Sequence, residues 1–278
     1  MPLAGLAVLP FFLYAFAFLL LPAGNVLRGA FRSQEGTYTL DTLEKLFQGQ
    51  YLNAYQTSIK ISVVTALLGG VFGLLLAYAA LREGTPRWVR TALTTFSGVA
   101  ANFGGVPLAF AWIATLGTIG LATRLLKDLG LDLYGHGFTL FGFNGLSIVY
   151  LYFQIPLMVL VIAPAIDGLR REWREAASNL GASSFQYWRH VGLPVLLPSI
   201  LGAMILLFGN AFSAYATAYA LTSGRVNLVP LLIGQVLTGN VLDDPHLGQA
   251  LAFGMIVVML VAILLYLPLH RRTARWVR

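Results

Sequence analysis

The sequence predicts an all-α integral membrane protein with six transmembrane helices, and three observations predict it. Of 278 residues, 58% are hydrophobic and only 10% charged, with a mean hydropathy of +0.75. A soluble domain carries about 25% charged residues, so most of this chain must lie in lipid. No charge occurs between Asp132 and Asp167, nor between Arg189 and Arg225, and each run is long enough to cross the hydrocarbon as a helix. Once spans are placed, eleven of the eighteen Lys and Arg fall on one side: Arg82, Arg87, Arg90, Arg170, Arg171, Arg174, Arg189, Arg271, Arg272, Arg275 and Arg278. Six lie opposite, at Arg28, Arg32, Lys45, Arg124, Lys127 and Arg225, and Lys60 lies near a span start. That asymmetry is the positive-inside pattern, and it assigns the net charge of +7 to membrane topology rather than to nucleic acid.

Residues 2–23 are apolar and long enough to span. No Lys or Arg precedes them, whereas a signal peptide has a basic start and a shorter apolar core, so they are expected to be a retained first helix. Residues 24–53 are polar and read as an external loop with room for a short helix at Leu40–Phe47. The second span is expected over Tyr55–Leu81, where Gly69 and Gly73, with Gly70 between them, allow close helix approach. A basic turn, Arg82–Arg90 with Gly84-Thr85-Pro86, returns the chain inside.

The third span, Ala92–Leu116, is interrupted by Asn102, Gly104, Gly105 and Pro107. A broken helix frees backbone groups that protein or a water-filled cavity must satisfy, which makes these residues candidates for lining a pathway. Residues 117–142 are expected outside, with an amphipathic turn at Leu121–Leu129. The fourth span is Gly145–Ala165 and the fifth Val195–Leu221, where Asn210, Ser213 and Thr217 repeat at i, i+3 and i+7 and would share one helix face. Such a polar face either lines the path or bonds a neighbouring helix, and the sequence leaves both open. Leu228–Leu237 is too short to span and reads as interfacial or re-entrant. The sixth span, Leu247–Leu269, ends at the basic tail. Six spans put both termini on the arginine-rich side, so positions 128 and 243 are expected outside and positions 84 and 171 inside. The chain divides into 1–53, a first helix plus loop, and 54–278, a core of five helices.

Between the fourth and fifth spans lies an island of charge, residues 167–194. Leu169, Trp173, Ala176 and Leu180 form one apolar stripe of a short helix whose other faces carry Arg170, Arg171, Glu172, Arg174 and Glu175. Gly181 stops it, Ser183 or Ser184 can cap a second short helix through Phe185, Tyr187 and Trp188, and that helix is expected to end near Gly192. Pro194 then fits the first turn of the next span.

A helix, a Gly-centred turn, a second helix and Leu-Pro on the membrane face resembles the EAA loop of binding-protein-dependent ABC importer permeases, which share a MetI-like fold. The family pattern is Glu-Ala-Ala, three residues, Gly, nine residues, Ile, one residue, Leu-Pro. Here it reads Glu175-Ala176-Ala177, Gly181, Val191 in place of Ile, then Gly192 and Leu193-Pro194. The likeness extends over roughly residues 55–270. An amphipathic loop at lipid headgroups is the plainer reading, but it would not require these residues at these spacings.

The resemblance implies a permease subunit in the plasma (inner) membrane of a prokaryote, with both termini cytoplasmic. It also implies a second permease subunit, identical or different, a cytoplasmic ABC ATPase dimer and an extracytoplasmic solute-binding protein, with lipid around them. Glu175, Ala176, Ala177, Gly181, Val191, Leu193 and Pro194 would carry coupling: Glu175 as an acceptor at the ATPase groove, Ala176 as a close-packing contact, Gly181 as the rigid turn. For Glu175 a surface pair with Arg171 is the simpler role. Asn102-Phe-Gly-Gly-Val-Pro-Leu-Ala-Phe110 and Gly209–Thr217 look most like permeases for polyamines and their relatives for iron, phosphonates or opines, which suggests a polyamine-type solute. No carboxylate lies inside a span to balance such a cation.

The remaining classes are disfavoured. The three lysines follow Glu44, Ile59 and Leu126, so no P-loop holds phosphates, and ATP and Mg belong to the partner ATPase. His136, His190, His246 and His270 are scattered, there is no HExxH and no cysteine, and no span carries a carboxylate pair, so neither a catalytic nor a metal site is expected. An ion-coupled secondary transporter, the alternative, usually shows intramembrane ionisable residues and inverted repeats, and neither is visible.

Overall fold

In the computed structural model, residues 2–33, 36–82, 84–238 and 245–274 are described. Asp243 and the tail residues Arg275 and Arg278, to which the sequence assigned sides of the membrane, lie outside them. Fourteen α-helices carry nearly all the described chain, with one isolated antiparallel bridge, Arg32 to Tyr38. In order they are α1 (Pro2–Ala15), α2 (Leu21–Gly29), α3 (Asp41–Lys45), α4 (Gly49–Leu81), α5 (Arg87–Asn102), α6 (Gly105–Leu116) and α7 (Leu121–Asp128). They continue with α8 (Phe143–Asp167), α9 (Arg171–Asn179), α10 (Ser184–Tyr187), α11 (Leu193–Phe212), α12 (Ala216–Thr222), α13 (Val229–Thr238) and α14 (Pro245–Ala274). Single π turns, Phe16–Leu20 and Trp188–Gly192, join α1 to α2 and α10 to α11. Among the described residues, six stretches are long and apolar enough to cross a membrane: Val8–Gly29, Gly49–Leu81, Gly105–Asp128, Phe143–Asp167, Ser184–Phe212 and His246–Pro268.

The six-span architecture is the one expected, but boundaries differ; the second span, for one, begins at Gly49 rather than at Tyr55 and takes in the end of the expected loop. The first helix does not end at residue 23; it runs on to Gly29, because Pro22 sits in the opening turn of α2 just after a π turn. The second loop helix likewise does not end near Gly192. It passes through a π turn straight into α11, whose second residue is Pro194. In both places the residue before proline is a leucine whose N–H reaches back five residues, Leu21 to the Phe16 carbonyl and Leu193 to the Trp188 carbonyl. Widening the turn in this way makes room for a ring that would otherwise strike the carbonyl four residues back, so the helix continues past a residue expected to start a new one.

The stretch Ala92–Leu116 is two helices rather than one span. α5, with Arg87, Arg90, Thr91, Thr94, Thr95 and Ser97, is amphipathic and lies against α8. The stretch long and apolar enough to cross begins only at Gly105 and, by length and composition, runs on through α7 to Asp128, past the end at Leu116 read from the sequence. The fifth span is also two helices, α11 and α12, separated by Ser213–Tyr215. The segment at Leu228 to Leu237 forms α13, and Leu228, Val229, Leu231 and Leu232 are buried in protein rather than laid on an interface.

The chain packs as two compact units. In the first, Met1–Gln56 with Asn227–Leu260, Gly29 meets the Gln249 side chain and the Tyr55 hydroxyl donates to the Leu251 carbonyl at 2.6 Å. The exposed aromatic run from Phe11 to Phe18 leaves the first helix bare from Val8 to Leu21. In the second, Thr57–Val226 with Val261–Arg278, α8 is the core helix and lies against α5 and α11. A Cβ at Gly69 would stand 2.6 Å from the Gln154 Cβ, and one at Gly73 would stand 2.5 Å from the Met158 Cβ. The small-residue stripe of α4 is therefore the surface that lets two helix backbones approach.

Candidate translocation and coupling sites

Two helix breaks meet within the second unit. α5 ends at Asn102, Phe103 and Gly104 are extended, and Gly105 opens α6 with φ of +70°. Across from it α11 ends at Phe212 and α12 begins at Ala216. The Gly105 N–H, free because it starts a helix, donates to the Thr217 Oγ1 at 2.7 Å, and α6 lies along α12. Thr217 is 5% exposed, so the hydroxyl of one helix start satisfies the backbone donor of another inside protein.

The shared polar face expected for the fifth span does not form. A helix period carries across consecutive residues only while the helix is intact, and the chain leaves it at Ser213. Asn210 instead donates to the Gln154 Oε1 at 3.4 Å, while Ser213 Oγ donates to the Gly209 carbonyl of its own helix at 2.9 Å. Asn102 is exposed and donates to the Gly98 carbonyl at 2.9 Å, and Pro107 is exposed in the first turns of α6. The structure thus brings Gly104, Gly105 and Thr217 together, leaves Asn102 and Ser213 bonded within their own helices, and ties Asn210 to Gln154 of α8.

Two side chains that sequence reasoning did not single out support the breaks. Gln154 is fully buried in α8 and donates to the Leu207 carbonyl at 2.9 Å as it accepts from Asn210. Tyr150, one turn earlier, donates to the Ala214 carbonyl at 3.0 Å, one of the groups freed where α11 stops. The signal available for Gln154 was its place as a lone amide in an uncharged span, where an unpaired polar group is costly.

The charged island folds as a helix, a turn and a helix. α9 ends in a Schellman arrangement: Gly181 at φ +77° donates to the Ser178 carbonyl at 2.9 Å, and Ala182 donates to the Ala177 carbonyl at 3.0 Å. Ser183 then caps α10 reciprocally with Gln186, its hydroxyl accepting at 3.3 Å and its N–H donating to the Gln186 side chain at 2.7 Å. No residue of α9 is buried. Glu175 accepts from Arg171 at 2.8 Å, the surface pair that was its simpler role. Ala176 is exposed, Ala177 and Val191 are half-buried, Leu193 is exposed and Pro194 half-buried. Leu180 and Phe185, flanking the turn, are 88% and 71% exposed. Trp188 anchors the base, edge-on to Tyr78 of α4 at 4.8 Å and lying against the backbone of Gly192.

The profile of a family described as "binding-protein-dependent transport system inner membrane component" matches residues 69–278. A probable sulfate transport system permease protein of Nephroselmis olivacea is 28% identical over 260 residues, 93% of this chain and 86% of that protein. The spermidine/putrescine transport system permease protein of Haemophilus influenzae is 25% identical over 257 residues, 90% and 87% of the two chains. The thiamine transport system permease protein of Escherichia coli is 26% identical over 231 residues, 82% of this chain but 42% of that one. Among solved structures, a chain of a bacterial ABC transporter involved in the import of the acidic polysaccharide alginate superposes with a TM-score of 0.78, covering 97% of this chain and 95% of its own, at 21% identity, a likeness of fold. The family match covers well over half of the chain, and the chain therefore belongs to the binding-protein-dependent transport system inner membrane components, the permease subunits of ABC importers.

Proposed function

We propose that this permease subunit takes a small polar solute from an extracytoplasmic binding protein and passes it along the paired breaks of α5–α6 and α11–α12. Separate cytoplasmic ATPase subunits would grip the loop 167–194, and a second permease subunit would complete the path. The chain itself would bind no ATP or Mg and catalyse no reaction, and both termini would face the cytoplasm of a prokaryotic cell. The observation that carries the coupling role is the bare tip of the loop. Leu180 and Phe185 stand unpacked on either side of a turn fixed by a Schellman arrangement and a capping box, and rigid exposed apolar anchors are what a docking surface needs. In this reading Glu175 and Ala176 contact the ATPase groove, and Ala177, Val191, Leu193 and Pro194 hold the loop on α11.

For the solute, a polyamine is the first candidate, supported by the likeness of the two broken stretches to polyamine permeases and by the spermidine/putrescine relative. An oxyanion such as sulfate is the second, favoured by the sulfate relative and by the lack of an intramembrane carboxylate. The test is reconstitution with the ATPase and the binding protein. Spermidine bound to that protein should stimulate ATP hydrolysis and uptake; stimulation by sulfate alone would reverse the order. Uptake driven by an ion gradient without any ATPase would instead favour a secondary transporter.

A further inference from the structure

We propose that Arg90 and Asp167 form a tie through which the coupling loop moves α5, and with it the break at Phe103–Gly104; this rests on reading loop 167–194 as the ATPase-coupling element. Asp167 is the last residue of α8, at the root of that loop, and Arg90 lies in the opening turns of α5. The Arg90 Nη2 donates to the Asp167 Oδ2, an ion pair between residues 77 apart in sequence. By contrast, Arg171–Glu175 closes within a single helix.

Each partner stands at the end of its helix where the macrodipole disfavours its charge. A carboxylate meets the negative C-terminus of α8, and a guanidinium meets the positive N-terminus of α5. Paired, each offsets the other's misplacement; apart, both helix ends carry an unfavourable charge. The side chains are 45% and 41% exposed, and an exposed pair contributes little to stability. What it supplies is register. α5 lies along α8, Ser97 and Ala100 of α5 are buried, and its far end is the break whose next donor, Gly105, is held by Thr217. A displacement at the loop root therefore has a direct route to the break, with Arg90 and Asp167 as positioning residues that touch neither solute nor ATPase.

The test uses the complete importer in proteoliposomes and reads solute taken up per ATP hydrolysed. Arg90→Asp and Asp167→Arg should each lower that ratio about fivefold or more while hydrolysis continues. The exchanged pair should return it to within about twofold of wild type. Single variants with a wild-type ratio, or an exchanged pair as poor as the singles, would overturn the tie. Because the sequence has no cysteine, Arg90→Cys with Asp167→Cys offers a second test. The ratio should be low before and restored after bridging by a short bismaleimide, and no recovery after confirmed bridging counts against the tie. If the wild-type complex hydrolyses ATP without uptake, the coupling reading itself fails; if wild type and variants couple alike, only the tie does.

Discussion

Gly181 has a φ of +77° and open space where a side chain would stand, so a substitution there acts through the backbone alone. Gly181→Val should strain the turn by about 1–2 kcal/mol, abolish uptake and leave the amount of protein in the membrane unchanged; uptake near wild type would remove the coupling role. Gly73→Val is its opposite. The new Cβ would lie 2.5 Å from the Met158 Cβ and 2.7 Å from the Ile155 carbonyl oxygen, backbone that cannot give way, and folded protein itself should be lost. Gly181 was legible because a helix that ends on a charged island needs a left-handed residue, and the sequence offers one there. At Asp132, outside the spans, the Gly135 N–H is the main cause holding the carboxyl below its ordinary pKa, helped by Lys127 and His136 against some desolvation. A depressed carboxyl stabilises its loop above its unfolded pKa and loses that contribution as pH falls through the lowered value. Exchange protection of the Gly135 amide should survive acidification through the usual aspartate range and vanish below it, and Asp132→Ala should remove it at every pH. Protection unchanged in that variant would show the carboxylate to be a bystander.

Between elements, the two breaks are joined by one hydrogen bond, and its chemistry separates glue from path. Thr217→Val deletes the acceptor of the Gly105 N–H while keeping the shape. Interhelical bonds in membranes contribute about 0.6 kcal/mol on average, so thermal stability in detergent should fall modestly, and Thr217→Ser should recover it. Should Thr217→Val also change the apparent affinity for solute, with stability intact, Thr217 touches the path; a change in stability alone makes it glue. The first break was legible because Gly104-Gly105 and Pro107 interrupt an apolar run. The second was not: Ser213-Ala214-Tyr215 contains neither Gly nor Pro, and Asn210, Ser213 and Thr217 keep a helical spacing through it. What ends α11 is tertiary, the Tyr150 hydroxyl taking up the Ala214 carbonyl, and a partner 64 residues away leaves no local mark. The π turns were hidden for a related reason, since proline announces a start more readily than a continuation.

At the scale of the whole molecule, six spans were legible because lipid imposes long uncharged runs, and their ends were less so because Gly24, Asn25 and Pro22 continue a helix that polarity alone would stop. Sidedness remains a prediction of arginine placement. Introduced singly into a chain without native cysteine, a cysteine at position 128 should react with an impermeant maleimide from outside, whereas positions 84 and 171 should react only after permeabilisation. Reaction at 171 in sealed cells would invert the topology and end the coupling reading with it. The unbroken run from Ser184 to Phe212 then takes on a mechanical meaning. At about 1.5 Å per residue, its 29 residues run for roughly 40 Å, one end on the loop the ATPases would grip and the other at Ser213. The π turn at Trp188–Gly192 and Pro198 within α11 are the places where such a rod can flex, so a stroke that enters at the loop should be shared between bending there and displacement where α11 gives way to α12.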